Sequence, residues 1–416
     1  MYGVLMTDQP ADRERLTTRE AAERLGVKPE TVYAYVSRGQ LTSRRDPGGR
    51  GSTFDAKEVD ALVRRGRREP AAGGDVTQRI RTGITLIDKD RYYYRGVDAT
   101  ELARRYHYEE IADWLWTGTL RAGVRFTAPP EPLAAARSAV AALPGHSGST
   151  DRLRVAAIAA AAADPLRFDL GREAVLGCAR SLIPTLVDAL PVAGREHRGE
   201  GRLAWRLWAR LTAERPDETA LHALDMALSL LIDHDLAAST LAVRVAASAR
   251  AHPYAVVSAG LGALDGPLHG AASGLAHRML AEVLERGSAA PVVADHLRAG
   301  RRVPGLGHRL YPAQDPRAEA LFDVLATLPA ARPALAAARE VEATTARQME
   351  LHANVDLALA VLSVSSGMPA EAGETVFAVA RTAGWIAHAL EEYEERPLRM
   401  RPSGQYTGPR PPRPLP

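Results

Sequence analysis

The chain has 416 residues, 46% hydrophobic but only 5% aromatic, with 25% charged and a formal net charge of +3. That length allows two or three domains with a large buried core, and the Ala- and Leu-rich, aromatic-poor composition favours helix over sheet. One cysteine, Cys178, rules out a disulfide framework, and no signal-type segment or apolar run of about 18 residues stands out, so the expectation is a cytoplasmic protein with no membrane span.

The excess positive charge is local. Residues 1–70 hold 14 Lys and Arg against 11 Asp and Glu, while the remainder holds 39 of each. Within this basic segment Thr18 is expected to cap a short helix, REAAERLG, closed by Gly26. Pro29 then opens KPETVYAYVSRG, where Val32 and Val36 share a face and Gly39 ends the helix. Two short helices around a tight turn form a helix-turn-helix pattern. QLTSRR, the turn-former string DPGGRG and STF predict a two-stranded wing, followed by a helix from Ala56 to Arg64. These fifty residues resemble the winged helix-turn-helix of the MerR and excisionase type. The resemblance implies DNA as a partner, met by Lys28, Thr31, Tyr33 and Arg38 on the second helix and by Arg44, Arg45 and Arg50 on the wing. The competing reading is a small docking domain with solvated basic residues.

RRGRREPAAGGD marks a basic linker, placed at residues 67–76, between a first domain of residues 1–66 and a second of residues 77–416. From there on amphipathic Ala/Leu-rich segments dominate, with Pro and Gly as punctuation, so the fold class is mainly α. No βαβ alternation, P-loop or metal-ligand spacing emerges. The Pro-rich end, MRPSGQYTGPRPPRPLP, reads as extended chain.

Three positions in this second part carry chemistry. His269 stands in GPLHG just before an apolar helix, whose N-terminus disfavours imidazolium and leaves a neutral N–H donor. A histidine satisfying its own tight turn is the alternative. His308 follows the Gly-rich loop Pro304-Gly-Leu-Gly307, where missing side chains admit a ligand to the backbone. Asp315 and Pro316 then set a helix start that directs Arg317, either a carboxylate clamp or an ion pair. Asp356 opens the apolar run LALAVLSV, where partial desolvation strengthens a carboxylate base; a helix cap is the alternative. One base and two proton donors are what carbon–carbon condensation on a carbonyl requires.

GPLHG, PGLGHRLYPAQDPRA, NVD, VARTAGWIAHALE and RPSGQYTG follow one another in the order of the motifs of the citrate synthase family, which residues 77–410 resemble throughout. The resemblance implies a two-domain, all-helical dimer, with a small domain at roughly 225–340 that closes over substrate. It further implies that Asp356 deprotonates an acyl-CoA methyl, that His269 supports the enolate, and that His308 protonates the keto oxygen of oxaloacetate. His234, Arg317 and Arg381 would hold oxaloacetate, with Arg401 donated across the homodimer interface, and Val303, Pro304, Gly305, Leu306 and Gly307 would line CoA. Acetyl-CoA or propionyl-CoA is then a cosubstrate, and no permanently bound cofactor or metal is called for.

The chain departs from the family pattern at Leu231 and Ala237 around His234, at Ala271, Ser273 and Gly274 after His269, at Pro312, and from Leu357 to Ala360. Two functions stay open on these grounds: an acyl-CoA-condensing enzyme, and a ligand-sensing DNA-binding regulator on the same fold.

Overall fold

The computed structural model describes residues 15–37, 40–45, 51–66, 80–194, 201–266, 269–311, 313–347, 349–402, 405–409 and 413. Two compact units emerge, one of Met1–Gln78 with Pro402–Pro416 and one of Arg79–Arg401.

The first unit contains β1 (Arg15–Thr17), α1 (Thr18–Leu25), α2 (Pro29–Ser37), β2 (Ser43–Arg45), β3 (Ser52–Asp55) and α3 (Ala56–Gly66). Its helix start lies one residue earlier than expected. Thr17 is the cap, because Glu20 three residues on completes a reciprocal capping box with it. Gly26 ends α1 in the left-handed region at φ 68°. The expected β2–β3 wing is present, and β3 also pairs with β1, giving an antiparallel sheet in the order β1-β3-β2. Leu16, Ala21, Ala22, Val32, Leu41, Phe54, Ala56 and Val59 form a separate small core.

The second unit opens with an antiparallel sheet of β4 (Thr85–Asp88), β5 (Arg91–Tyr94) and β6 (Val97–Asp98), which the composition gave no reason to expect. The helices are α4 (Ala99–Arg105), α5 (Tyr108–Thr117), α6 (Pro130–Ala141), α7 (Ser149–Ala162), α8 (Arg172–Ala189), α9 (Leu203–Leu211), α10 (Glu218–Leu230), α11 (Ala238–Ser248), α12 (Pro253–Leu264), α13 (Ala272–Arg286), α14 (Ala289–Arg298), α15 (Pro316–Thr327), α16 (Arg332–Ala346), α17 (Val355–Ser365) and α18 (Ala372–Glu394). Among the described residues no single helix is long and apolar enough to cross a membrane.

The 23-residue α18 is the axis of this unit and is buried along most of its length. Its Ala and Gly content lets neighbours approach closely. A Cβ on Gly384 would lie 2.1 Å from the carbonyl oxygen of Ile232, so only glycine lets the segment after α10 press flat against the helix. Buried aromatic donors fasten α5 to the same axis: Tyr108 Oη donates to the Val379 carbonyl at 3.1 Å and Trp116 Nε1 to the Ala383 carbonyl at 2.9 Å. Such burial of a polar tip is tolerated because the hydrogen bond is made, while the ring contributes apolar area.

Candidate active site

Chain segments on either side of α15 and α16 are laced together before any side chain acts. The loop from Val303 to Gly307 turns twice through positive φ, 79° at Gly305 and 78° at Gly307. Leu306 forms an antiparallel bridge with Ala353, Gly307 N–H donates to the His352 carbonyl at 2.7 Å, and Asn354 N–H to the Gly305 carbonyl at 2.9 Å. Asn354 also donates its side-chain amide to the Gly307 carbonyl at 2.9 Å. As N-cap of α17 it accepts from Asp356 N–H at 3.0 Å. The cap is therefore Asn354, and the side chain of Asp356 is left for other work.

Asp315 binds the other flank. It caps α15, forms a bidentate pair with Arg317 at 2.9 and 2.8 Å, and accepts the Val355 N–H at 3.0 Å. Arg317 is buried, so the surface ion pair is excluded, yet Asp315 already occupies the Nε–Nη2 edge of its guanidinium. Burial opposes the arginine's charge, but Asp315 outweighs it and raises the pKa. Arg317 also lies 5.7 Å above the Tyr311 ring.

Tyr311 joins two histidines. Its hydroxyl is 2.7 Å from His234 Nε2, and its ring lies 4.8 Å from that of His308. The rings of His234 and His308 stand edge to face at 5.1 Å. His234 sits in the turn between α10 and α11, followed by Asp235 at φ 54°. Burial and then Arg317 hold the His234 pKa well below the ordinary value. The same two causes, in that order, bring His308 down to about 4. The Leu310 N–H donates to His308 Nδ1 at 3.1 Å, so the neutral ring carries its proton on Nε2.

His269 is in a turn three residues ahead of α13, with its N–H donating to the Gly266 carbonyl at 2.9 Å. Pro267 and Leu268 lie outside the described residues. Its Nε2 is 2.7 Å from Ser239 Oγ at the start of α11, and the Phe377 ring lies 6.1 Å away. Burial, then Arg381, lowers its pKa. Arg381 is itself buried, stacks 4.5 Å over Phe377 and donates Nε to the Leu231 carbonyl at 2.9 Å. Asp356 is partly buried, and desolvation pushes its carboxyl up to about 6 against the pull of Arg317, with Asp315 adding to the rise.

The charge of Arg317 thus acts on His234, His308 and Asp356, and that of Arg381 on His234 and His269. Three imidazoles held neutral, a carboxylate raised to about 6 and two buried guanidiniums are thus linked through these two charges. Such a set can polarise a carbonyl, abstract a carbon-bound proton and hold a dianionic acid. Arg401 is exposed after α18, outside this cluster within the chain. Nothing local singles out Tyr311, Ser239 and Phe377 in the sequence, because their contacts with His234 and His269 span 77, 30 and 108 positions of chain.

In the N-terminal unit Lys28, Arg44 and Arg45 are exposed and Thr31 is half-buried. Tyr33 is 48% exposed, with its hydroxyl 3.2 Å from Thr18 Oγ1. Arg38 and Arg50 lie outside the described residues, as does Pro312.

A family profile described as citrate synthase, C-terminal domain, matches residues 75–403, and one described as a helix-turn-helix domain matches residues 15–67. A citrate synthase of Haloferax volcanii is 32% identical over 355 residues, covering 78% of this chain and 92% of the relative. Among solved structures, citrate synthase from Pyrobaculum aerophilum aligns with a TM-score of 0.68 at 25% identity, covering 90% of this chain and 97% of that one. Citrate synthase from Thermotoga maritima aligns with a TM-score of 0.64 at 27% identity, covering 82% and 96%.

Proposed function

This chain belongs to the citrate synthase family, and on that premise we propose that it condenses acetyl-CoA, or another short acyl-CoA, with oxaloacetate to give citrate or its homologue and free CoA. The observation that carries this reading is the pairing of an elevated carboxylate, Asp356, with two histidines whose pKa values are held low. Asp356 removes a proton from the carbon next to the thioester carbonyl. With the Ser239 hydroxyl donating to Nε2, His269 offers Nδ1–H to the enolate oxygen. The enolate carbon attacks the keto carbon while His308 Nε2–H donates to the keto oxygen, so one proton leaves carbon and one reaches oxygen. Water then cleaves the citryl thioester, which releases CoA and makes the sequence effectively irreversible.

Arg317, Arg381 and His234 hold the oxaloacetate carboxylates, with Arg401 supplied by the second subunit of a homodimer. The loop from Val303 through Pro304, Gly305 and Leu306 to Gly307 receives CoA. Closure of the small domain, roughly residues 225–340, excludes water and sets the attack geometry. The acyl group becomes an alkyl substituent of the product, and the protein works in the cytoplasm.

The test is release of free thiol from acetyl-CoA and propionyl-CoA with and without oxaloacetate. Oxaloacetate-dependent release that vanishes in Asp356→Ala supports the reading, and no release from any acyl-CoA overturns it.

The helix-turn-helix match favours a second activity. Lys28, Thr31, Tyr33, Arg38, Arg44 and Arg45 contact DNA phosphates and base edges, and ligand binding in the second unit adjusts that contact. DNA affinity that falls with salt and is lost on removal of residues 1–70 is the expected result. Equal binding by the truncated chain overturns it.

A further inference from the structure

Directly behind the keto-acid pocket lie two fully buried residues that the chemistry above leaves unused, Asp233 and His388. His388 Nε2 is 3.2 Å from Asp233 Oδ1, and its Nδ1 is 2.8 Å from Arg244 Nη1. A guanidinium can only donate, so Nδ1 accepts and the ring proton sits on Nε2, aimed at Asp233. The second Asp233 oxygen accepts from Thr85 Oγ1 at 2.6 Å. Arg244, buried as well, turns its other donors to Glu391, Glu392 and the Arg81 carbonyl, and Glu392 in turn holds Arg399. The imidazole is thus clamped from both ends by charged groups with no freedom to turn.

What this clamp controls is visible in the backbone. Asp233 is followed by His234 and then by Asp235 at φ 54°. An aspartate keeps the left-handed conformation only where its surroundings hold it there. On one side the turn is pressed against α18, where Gly384 precedes His388 by one helical turn. On the other, Tyr94 Oη donates to the Asp233 carbonyl at 3.3 Å. The side chain of Asp233 anchors the near end of the turn, and His388 and Thr85 are its partners.

We propose that His388 is a positioning residue of the keto-acid pocket: by fixing Asp233 it holds the Asp233–Asp235 turn so that His234 stays against Tyr311 and faces the substrate. The inference rests on the reading of His234 as an oxaloacetate ligand. His388 itself touches no substrate.

Its two hydrogen bonds run in opposite senses and can be cut separately. In His388→Asn the amide oxygen stands near Nδ1 and still accepts from Arg244, but nothing reaches Asp233. In His388→Gln the amide nitrogen stands near Nε2 and still donates to Asp233, while the Arg244 contact is lost. Wild type and both variants of the full chain are compared by calorimetric titration with oxaloacetate, steady-state thiol release and thermal melting. The asparagine variant is expected to raise the oxaloacetate Kd and KM about tenfold, with kcat and the acetyl-CoA KM changed by less than about twofold. The glutamine variant is expected to recover most of that affinity.

Equal oxaloacetate affinity in all three, with the variants merely melting earlier, overturns the proposal. So does an equal loss in both variants, because the glutamine variant keeps the bond to Asp233 and should then have recovered affinity. Thr85→Ala gives a second arm at a partly exposed position. It removes the other Asp233 hydrogen bond and is expected to raise the oxaloacetate Kd about threefold, and no change there counts against the proposal even if the His388 variants do not fold. A wild-type chain that binds oxaloacetate but releases no thiol overturns the condensation reading while the affinity comparison still decides this one. A wild-type chain that binds no oxaloacetate overturns both.

Discussion

The side-chain amide of Asn354 donates to the Gly307 carbonyl at 2.9 Å, one residue before His308, while its carboxamide oxygen caps the N–H of Asp356 at 3.0 Å. One neutral side chain therefore fixes the loop of the proposed acid and the helix of the proposed base relative to each other. Neither residue can shift without breaking a hydrogen bond in a partly buried place, which makes their spacing a property of the fold.

Asn354→Ala should accordingly affect turnover more than substrate affinity. Loss of the cap costs about 1 kcal/mol of stability, and slackening the acid–base spacing should lower kcat about tenfold to a hundredfold. Melting and thiol-release kinetics on the same preparation measure both effects. A kcat within about twofold of wild type would show that the other ties across this loop suffice.

The pH profile should have a single limb. Asp356 must be ionised to accept a proton, and its carboxyl is pushed up to about 6, so kcat should fall as pH drops through that value. His308, at about 4, is already neutral there and adds no second limb near neutrality. The two shifts oppose each other in stability. Folded Asp356 holds its proton more tightly than the unfolded chain does, so its contribution is present at low pH and is lost as pH rises through about 6. Folded His308 holds its proton less tightly, so its contribution is present at neutral pH and is lost as pH falls from about 6.5 in the unfolded chain. Relative to wild type, Asp356→Asn should gain more in Tm at pH 8 than at pH 5, and His308→Gln the reverse.

Gly305→Ala tests the CoA loop. The residue sits at φ 79°, and an added Cβ would come 2.8 Å from Leu357 Cβ and 3.2 Å from its Cα. Strain of about 1–3 kcal/mol is expected, with a raised acyl-CoA KM because the loop must move. Gly262→Ala is the control. It lies inside α12 with nothing within 4 Å of its would-be Cβ, and should be neutral or stabilising.

Tyr311→Phe removes only the hydroxyl that meets His234 at 2.7 Å. A net hydrogen bond of about 0.5–1.5 kcal/mol is at stake, so oxaloacetate affinity should fall about threefold to tenfold with little change in the acetyl-CoA KM. Calorimetry with each ligand separates the two, and an unchanged oxaloacetate Kd would remove Tyr311 from the pocket.

For the first unit, Arg44→Ala and Arg45→Ala should weaken DNA binding uniformly across sequences. Each should also reduce the salt slope by about 1 if it neutralises a phosphate. An unchanged slope in both would leave the β2 arginines as solvated surface.

Features set by neighbouring residues are legible in the sequence, and those set by distant residues are not. Helix starts at Pro29, Asp315 and Pro316 are visible because capping and proline geometry act within a few residues. The boundary at Thr18 moved by one because the capping box pairs Thr17 with Glu20. Strand β1 went unseen, since three residues become a strand only by pairing with β3 some forty positions away. The β4–β5 hairpin was hidden in a helix-rich composition, its turn made by Lys89 at φ 54° instead of by a glycine.

Residue identity and spacing by themselves determined which groups were capable of the chemistry: His269 beside glycines, His308 after a Gly-rich loop, Asp356 at the head of an apolar helix. Only the tertiary structure decided which of the twelve histidines share a pocket, which nitrogen of His308 carries the proton, and how far the Asp356 carboxyl departs from an ordinary one. The reason is physical. Desolvation and hydrogen bonding depend on atoms brought in from remote elements, such as Tyr311 against His234, Ser239 against His269 and Arg317 facing Asp356, and spacing along the chain does not encode where those atoms arrive.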